Sequence, residues 1–302
     1  MDSPKHEMLI MKKAIFLITA VAIILSLPFP PASEAKEKKV VYFSAITLYH
    51  PFVMYQKYQP LMNYLTNNTP YSFELKLNKD YRKVVELLDR KEAQLALLGG
   101  ATYVLAKKES NITPILKPLG PDGTPFYRCA FVTRTDYASI NKLSDLRGRS
   151  IAFPSSLSTS GFLIPVYCLY TKAGITLTDL ESYRNFRYHD VVAQEVLRGS
   201  FDAGAVIDVV AERYKSQGMK TIWLSEPIPS LPLVARADED PALIKAVKKA
   251  LLALDYRNPE HRAIMSRWDE ELHYGFTVAS DKDYDGIRKA MKFLKTRRLI
   301  PQ

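Results

Sequence analysis

The sequence predicts an α/β protein made of two lobes joined by two strands, with a cleft between them. Three observations carry this. Short β-rich runs alternate with helix-like runs along the chain. The alternation occurs over residues 36–125 and again over about 130–230. Two β runs, FYRCAFVTR from Phe126 and LPLVARAD from Leu231, flank the second set like a pair of crossings. Strands that alternate with helices build a parallel sheet, and ligands then sit beyond the carboxyl ends of its strands. A length of 302 residues, 47% of them hydrophobic, suits about two domains with a real core.

The elements follow in order. The run KVVYFSA from Lys39 reads as a buried first strand. Pro51 suits the first turn of a helix that continues through Tyr58 to Leu65. Residues 71–77 alternate apolar and polar, which is a strand pattern. Asp80 reads as an N-cap, and Tyr81, Val84, Val85, Leu87 and Leu88 make one helical face. Residues 94–98 form a short buried strand, Gly99-Gly100 a turn and 101–108 a helix. Residues 126–134 and 150–153 are strands, and 162–173 is a helix stopped by Gly174. Residues 182–187 and 201–207 are strands around a helix that starts at His189-Asp190 and ends at Gly199. A helix over 209–215 and a strand over 220–225 follow. The last helices cover 241–254, 259–265 and 284–295.

The first residues read as an export signal. Lys12-Lys13 precede an apolar run over 14–27, then Pro28-Phe29-Pro30-Pro31, then Ser33-Glu34-Ala35 with small residues at the minus-three and minus-one positions. That pattern predicts a secretory signal peptide cleaved after Ala35 and a periplasmic protein. The run is short for a membrane span of roughly 20 residues, although an uncleaved N-terminal tether is the alternative. Charges within 1–35 balance, so the formal net charge of +10 belongs to the remainder. Without a dense basic run this reads as a solvated charged face, and no nucleic-acid partner is expected. Cys129 and Cys168 could pair in an oxidising compartment; two buried free thiols are the preferred reading. No His/Cys cluster has zinc-site spacing, and neither metal nor cofactor is expected.

The chemistry concentrates in Pro154-Ser155-Ser156-Leu157-Ser158-Thr159-Ser160-Gly161, between a strand and a helix. The first N–H groups of a helix have no partner within it, and the dipole places partial positive charge there. The hydroxyls of Ser158, Thr159 and Ser160 can add donors aimed at one point. No lysine or arginine lies in the loop, so an anion would be held by neutral donors. A capped serine-rich turn is the plainer reading of the same residues.

With these elements the chain resembles the solute-binding proteins of bacterial ABC importers for phosphonate, phosphite and phosphate, over nearly all of 38–300. Four features carry the resemblance in order. They are the strand before Tyr49 with Tyr58-Gln59-Pro60-Leu61; Asp80-Tyr81 through Gly99 to Tyr103; Asp145-Leu146-Arg147-Gly148-Arg149 leading into Ser158-Thr159-Ser160-Gly161; and His189-Asp190, Asp208 and Ile228-Pro229-Ser230-Leu231-Pro232. It implies a bilobal periplasmic-binding-protein type II fold. Lobe 1 would comprise 36–129 plus 233–302, and lobe 2 residues 130–232. It implies a small oxyanion held by Ser158, Thr159 and Ser160, with Tyr49 and Tyr103 reaching in from lobe 1 and His189 and Asp208 lining lobe 2. It also implies a monomer that delivers to an ABC permease; a membrane sensor using the same lobes is the alternative partner. Gln94, Gly100, His50 and Leu231 depart from the family's usual residues, and Leu231 takes a polar partner away from an amino-bearing ligand. Ser158, His189 and Asp208 could in principle form a nucleophile, base and orienter. No Gly-x-Ser-x-Gly elbow accompanies them, and no enzyme is expected.

Overall fold

The computed structural model describes residues 37–301; the signal peptide expected over 1–35 lies outside them. The chain opens with β1 (Lys39–Ala45), α1 (Pro51–Asn68), β2 (Tyr71–Leu75), α2 (Tyr81–Asp89), β3 (Leu95–Leu97), α3 (Gly100–Ala106) and β4 (Ile112–Pro118). β5 (Phe126–Tyr127) leads to β6 (Cys129–Arg134), β7 (Ser150–Phe153), α4 (Ile164–Ala173), β8 (Ser182–Asn185), α5 (His189–Leu197), β9 (Ala203–Ile207), α6 (Asp208–Tyr214) and β10 (Met219–Leu224). β11 (Ile228–Pro229) returns to β12 (Leu233–Arg236), α7 (Pro241–Leu252), α8 (Pro259–Met265), β13 (Phe276–Val278) and α9 (Asp285–Thr296).

Two sheets form the two lobes. The first has strand order β13-β4-β12-β3-β1-β2 and the second β10-β6-β9-β7-β8. The parallel sheets expected from the βα alternation are present as β2-β1-β3 and β8-β7-β9. The remaining neighbours pair antiparallel, with β6 and β12 running against the parallel strands. Register gives the reason. Cys129, the first residue of β6, pairs with Ile207, the last of β9, and Leu233, the first of β12, pairs with Leu97, the last of β3. A strand arriving from the other lobe starts at the cleft, where the parallel strands end, so it must run against them. The carboxyl ends of β1, β3, β7 and β9 therefore all point to the junction between the sheets.

The expected crossings change in detail. Phe126 to Arg134 is not one strand, because Arg128 interrupts it. Its N–H donates to the Asp208 carboxylate at 2.8 Å, and its carbonyl accepts from the Asp208 N–H at 3.1 Å. The short β5 pairs antiparallel with β11, Ile228 against Tyr127, and this pair joins the lobes. The LPLVARAD run instead supplies β12, a central strand of the first sheet.

Local signals behave as the side chains dictate. Asp80 caps α2 by accepting from the N–H groups of Arg82 and Lys83. Gly174 ends α4 with φ 64°, a left-handed turn that suits glycine. Cys129 and Cys168 are both buried and free. Among the described residues no helix is long and apolar enough to cross a membrane.

Candidate functional site

The hydroxyl loop leaves β7 at the junction of the two sheets. Its helix starts later than position 162, because the chain first makes one wide turn over Thr159–Leu163. The N–H groups of Phe162 and Leu163 both donate to the Ser158 carbonyl, at 3.2 and 3.0 Å. Such single wide turns recur at functional sites, since they turn side chains off the regular helical register. Ser158, Thr159 and Ser160 are all buried.

Ser158 is fixed as a donor. Its Oγ accepts from the Gly161 N–H at 3.0 Å and lies 3.1 Å from His189 Nε2. His189 Nδ1 accepts from the Ile207 N–H at 3.1 Å, so the neutral ring carries its proton on Nε2 and gives it to Ser158. Both acceptor directions of Ser158 are thereby used, and its hydroxyl is left to act as a donor. The same bonding removes the nucleophile-and-base reading. A protonated Nε2 cannot take the serine proton, and Asp208 spends its oxygens on the N–H groups of Arg128 and Val209 rather than on His189.

His189 is completely buried, and burial pushes its pKa down to about 3. Below about pH 6.5 an unfolded chain takes a proton at this residue while the native ring refuses it. Stability from this site is therefore whole above that pH and falls as the pH drops towards the native value. Relative to His189→Asn, the wild type should lose about 2 kcal/mol of unfolding free energy between about pH 7 and about pH 5. Paired denaturant melts measure this, and parallel curves for the two proteins would contradict a neutral buried ring.

The other lobe meets this loop directly. Thr159 Oγ1 accepts from the Ala101 N–H at 2.8 Å, the Thr102 hydroxyl donates to the Leu157 carbonyl at 3.2 Å, and the His189 N–H donates to the Leu48 carbonyl at 3.1 Å. A charged contact lies beside them. Arg213 on α6 pairs with Glu270 at 2.8 Å and donates to the Tyr49 hydroxyl at 3.1 Å, with its guanidinium 4.8 Å from the Tyr49 ring centroid. Lys57 on α1 also bonds Glu270 and lies 3.7 Å from Asp269.

Of the residues singled out in the sequence, Ser158, Thr159, Ser160 and His189 meet in one buried cluster. Tyr49 belongs to the neighbouring charged contact. Tyr103 is buried, but its hydroxyl donates to Asp281. Asp208 is half-buried and turned to the β5–β6 junction through Arg128. Three residues not singled out as site residues belong here. Burial and the Glu271 charge raise the Tyr127 phenol, while the Thr159 and Ser160 hydroxyls oppose that shift. Burial raises Tyr81, and Ser158 opposes it. Glu271 is itself held well above the carboxylate range by burial, reinforced by Asp269 and Asp208. Asp80-Tyr81 was visible as a motif; nothing in the local sequence marks Glu271. A surface hollow lined by Lys245, Lys248 and Lys249 contains none of these residues. Among the described residues no group of three or more His, Cys, Asp or Glu side chains is placed to hold a metal ion.

Two α/β lobes closing on a buried, hydroxyl-lined junction define a solute-binding protein of the hinge-closing kind. Residues 43–284 match the family described as "ABC transporter, phosphonate, periplasmic substrate-binding protein", and the chain belongs to that family. It is a periplasmic carrier serving transport and not an enzyme. A phosphate-import protein, PhnD, of Mycolicibacterium smegmatis is 28% identical over 254 residues, which cover 76% of this chain and 78% of the relative. In fold, the chain is similar to a binding-protein component of an ABC phosphonate transporter from Pseudomonas aeruginosa. There the TM-score is 0.76 at 20% identity, covering 86% of this chain and 87% of that one. It is also similar to PhnD1 of Prochlorococcus marinus in complex with methylphosphonate, with TM-score 0.75 at 22% identity over 85% of this chain and 98% of that one.

Proposed function

We propose that this protein captures a small phosphorus oxyanion (a phosphonate, phosphite or phosphate) and delivers it to an ABC permease. The observation that carries this reading is the Ser158 hydroxyl, whose acceptor directions are filled by Gly161 and His189. An oxyanion is the natural acceptor for such a donor, and Thr159, Ser160 and the first N–H groups of the wide turn supply others beside it. Binding through directional neutral donors favours selectivity among oxyanions over brute charge attraction. The relatives named for phosphate import and for methylphosphonate binding support the ligand class.

In this reading Tyr49 and Asp208 border the site, and Tyr103 supports it through Asp281. Lobe 1 is 36–129 with 233–302 and lobe 2 is 130–232; the two sheets support a division between β4 and β6 and between β10 and β12, with Cys129 already in the second sheet. The protein works as a monomer without nucleic acid, exported by the leader over 1–35. Calorimetric titration of the refolded protein with phosphite, methylphosphonate and phosphate, against sulfate, tests the reading. Micromolar or tighter binding of a phosphorus oxyanion is expected. Ser158→Ala and Thr159→Ala should each weaken it by about 1–3 kcal/mol, since each leaves a polar group unpaired. Unchanged affinity in both variants would refute the assignment.

A further inference from the structure

The last helix, α9, touches lobe 2 as well as its own lobe. Ile287, Ala290, Met291 and Leu294 form its buried stripe, at the spacing of an amphipathic helix. Phe293 lies beside that stripe and is only half-buried. Its ring finds partners on α4. The Phe293 centroid is 5.3 Å from that of Tyr167 and 5.9 Å from that of Tyr170, with interplanar angles of 74° and 59°. These are the edge-on and tilted arrangements that aromatic quadrupoles favour. Tyr167 and Tyr170 stand three positions apart, so they share one face of α4, and both are half-buried. The Arg297 guanidinium lies over the Phe293 ring, 3.9 Å from its centroid.

The two helices are anchored on opposite sides of the ligand junction. α4 continues directly from the wide turn over Thr159–Leu163, so it moves with the donor loop. α9 is seated on α3, with Ile287 Cδ1 only 2.3 Å from where a Cβ on Gly100 would stand. Next to that contact the Ala101 N–H of α3 donates to Thr159 Oγ1 at 2.8 Å. Separating the lobes breaks this bond and carries α4 away with the loop, while α9 stays on α3. The motion that opens the site therefore also pulls Phe293 from the two tyrosines.

We propose that Phe293 is a positioning residue for ligand retention: seated against Tyr167 and Tyr170, it clasps α4, and with it the hydroxyls of Ser158, Thr159 and Ser160, to lobe 1 in the closed form. The phosphorus-oxyanion reading above supplies only the probe. Ring contacts are short-ranged and form once the lobes have met, so their loss shortens the life of the complex rather than slowing encounter. Stacked rings are also insensitive to salt, unlike the Arg213–Glu270 pair.

Stopped-flow binding and release of methylphosphonate tests the clasp. Phe293→Ala should release about 10-fold faster than wild type, with association within about 3-fold. The pair Tyr167→Ala and Tyr170→Ala should do the same from the other lobe. All three changes together should be no worse than either set, because the shared contact is already gone. Phe293→Tyr keeps the ring and should restore slow release. The Phe293→Ala ratio should persist in about 0.5 M salt, where surface ion pairs are screened. Unchanged release, additive effects from the two helices, or a ratio that vanishes in salt overturns the clasp. So does a loss shared equally by association and release, which is what simple damage to lobe 1 would give. If methylphosphonate, phosphite and phosphate all fail to bind the wild type, the ligand class falls and small-angle scattering decides on the clasp. A larger radius of gyration in ligand-free Phe293→Ala than in wild type then supports it, and equal radii overturn it.

Discussion

Alanine at position 161 is expected to cost about 3 kcal/mol of stability, and ligand affinity with it. A Cβ on Gly161 would lie 1.9 Å from Pro154 Cγ, 2.7 Å from Pro154 Cδ and 2.8 Å from Ser158 Oγ. The proline ring cannot rotate away, and Ser158 is held by His189 behind it. Relief therefore requires the loop to unwind, which breaks the Gly161 N–H bond to Ser158 and moves the hydroxyl donors off their common point. Glycine is needed here for close approach, not for an unusual dihedral. Gly286, in the first turn of α9, is the control. A Cβ there meets nothing within 4 Å, so Gly286→Ala should be neutral or stabilising by up to about 1 kcal/mol. Thermal melts and titration of both variants with methylphosphonate measure the contrast. Equal stability and affinity for the two would mean that the loop does not wind tightly around position 161.

The parts of this molecule that were legible in the sequence are those set by local chemistry. The βα alternation is a matter of period, and the Asp80 cap and the Gly174 stop are matters of one residue each. Three successive hydroxyls at a strand-to-helix junction are legible as a loop, with a capped turn as the plainer reading; the wide turn that buries all three is not legible. What stayed hidden depends on long-range placement. Nothing in the local sequence marks Asp269-Glu270-Glu271, yet Asp269 is fully buried and Glu271 nearly so. They are buried because this turn lies against Lys57 of α1 and Arg213 of α6, which are distant in the chain. Tyr103 lies in α3, beyond the end of β3, and its hydroxyl follows Asp281, which comes from the far end of the sequence. The break at Arg128 was also invisible, because its cause is Asp208 on another strand's end. The overall charge of +10 gave no hint that the interior beside the site is rich in carboxyl groups.

Replacing Glu270 by alanine should loosen the closed state and weaken ligand binding about 100-fold, or about 3 kcal/mol. Glu270 lies in lobe 1, between Lys57 of its own lobe and Arg213 of the other. Its carboxyl pKa is lowered, since the bonds from Lys57 and the charge of Arg213 outweigh the burial that raises it. The side chains of Arg213 and Glu270 are 29% and 35% exposed, so the pair is only partly screened and is stronger than an exposed surface bridge. Without Glu270, Arg213 keeps the Tyr49 hydroxyl and the face of its ring, and two cations face each other without their shared anion. The lobes then separate more readily, and because release requires opening, the loss should fall on the dissociation rate. Small-angle scattering of the ligand-free variant should give a larger radius of gyration than wild type, and stopped-flow release should be faster. Arg213→Lys keeps the charge but loses the planar fork, so it should fall between the two. If Glu270→Ala released ligand at the wild-type rate, closure would have to be held without it, by contacts such as those of the Leu48, Ala101 and Leu157 backbone.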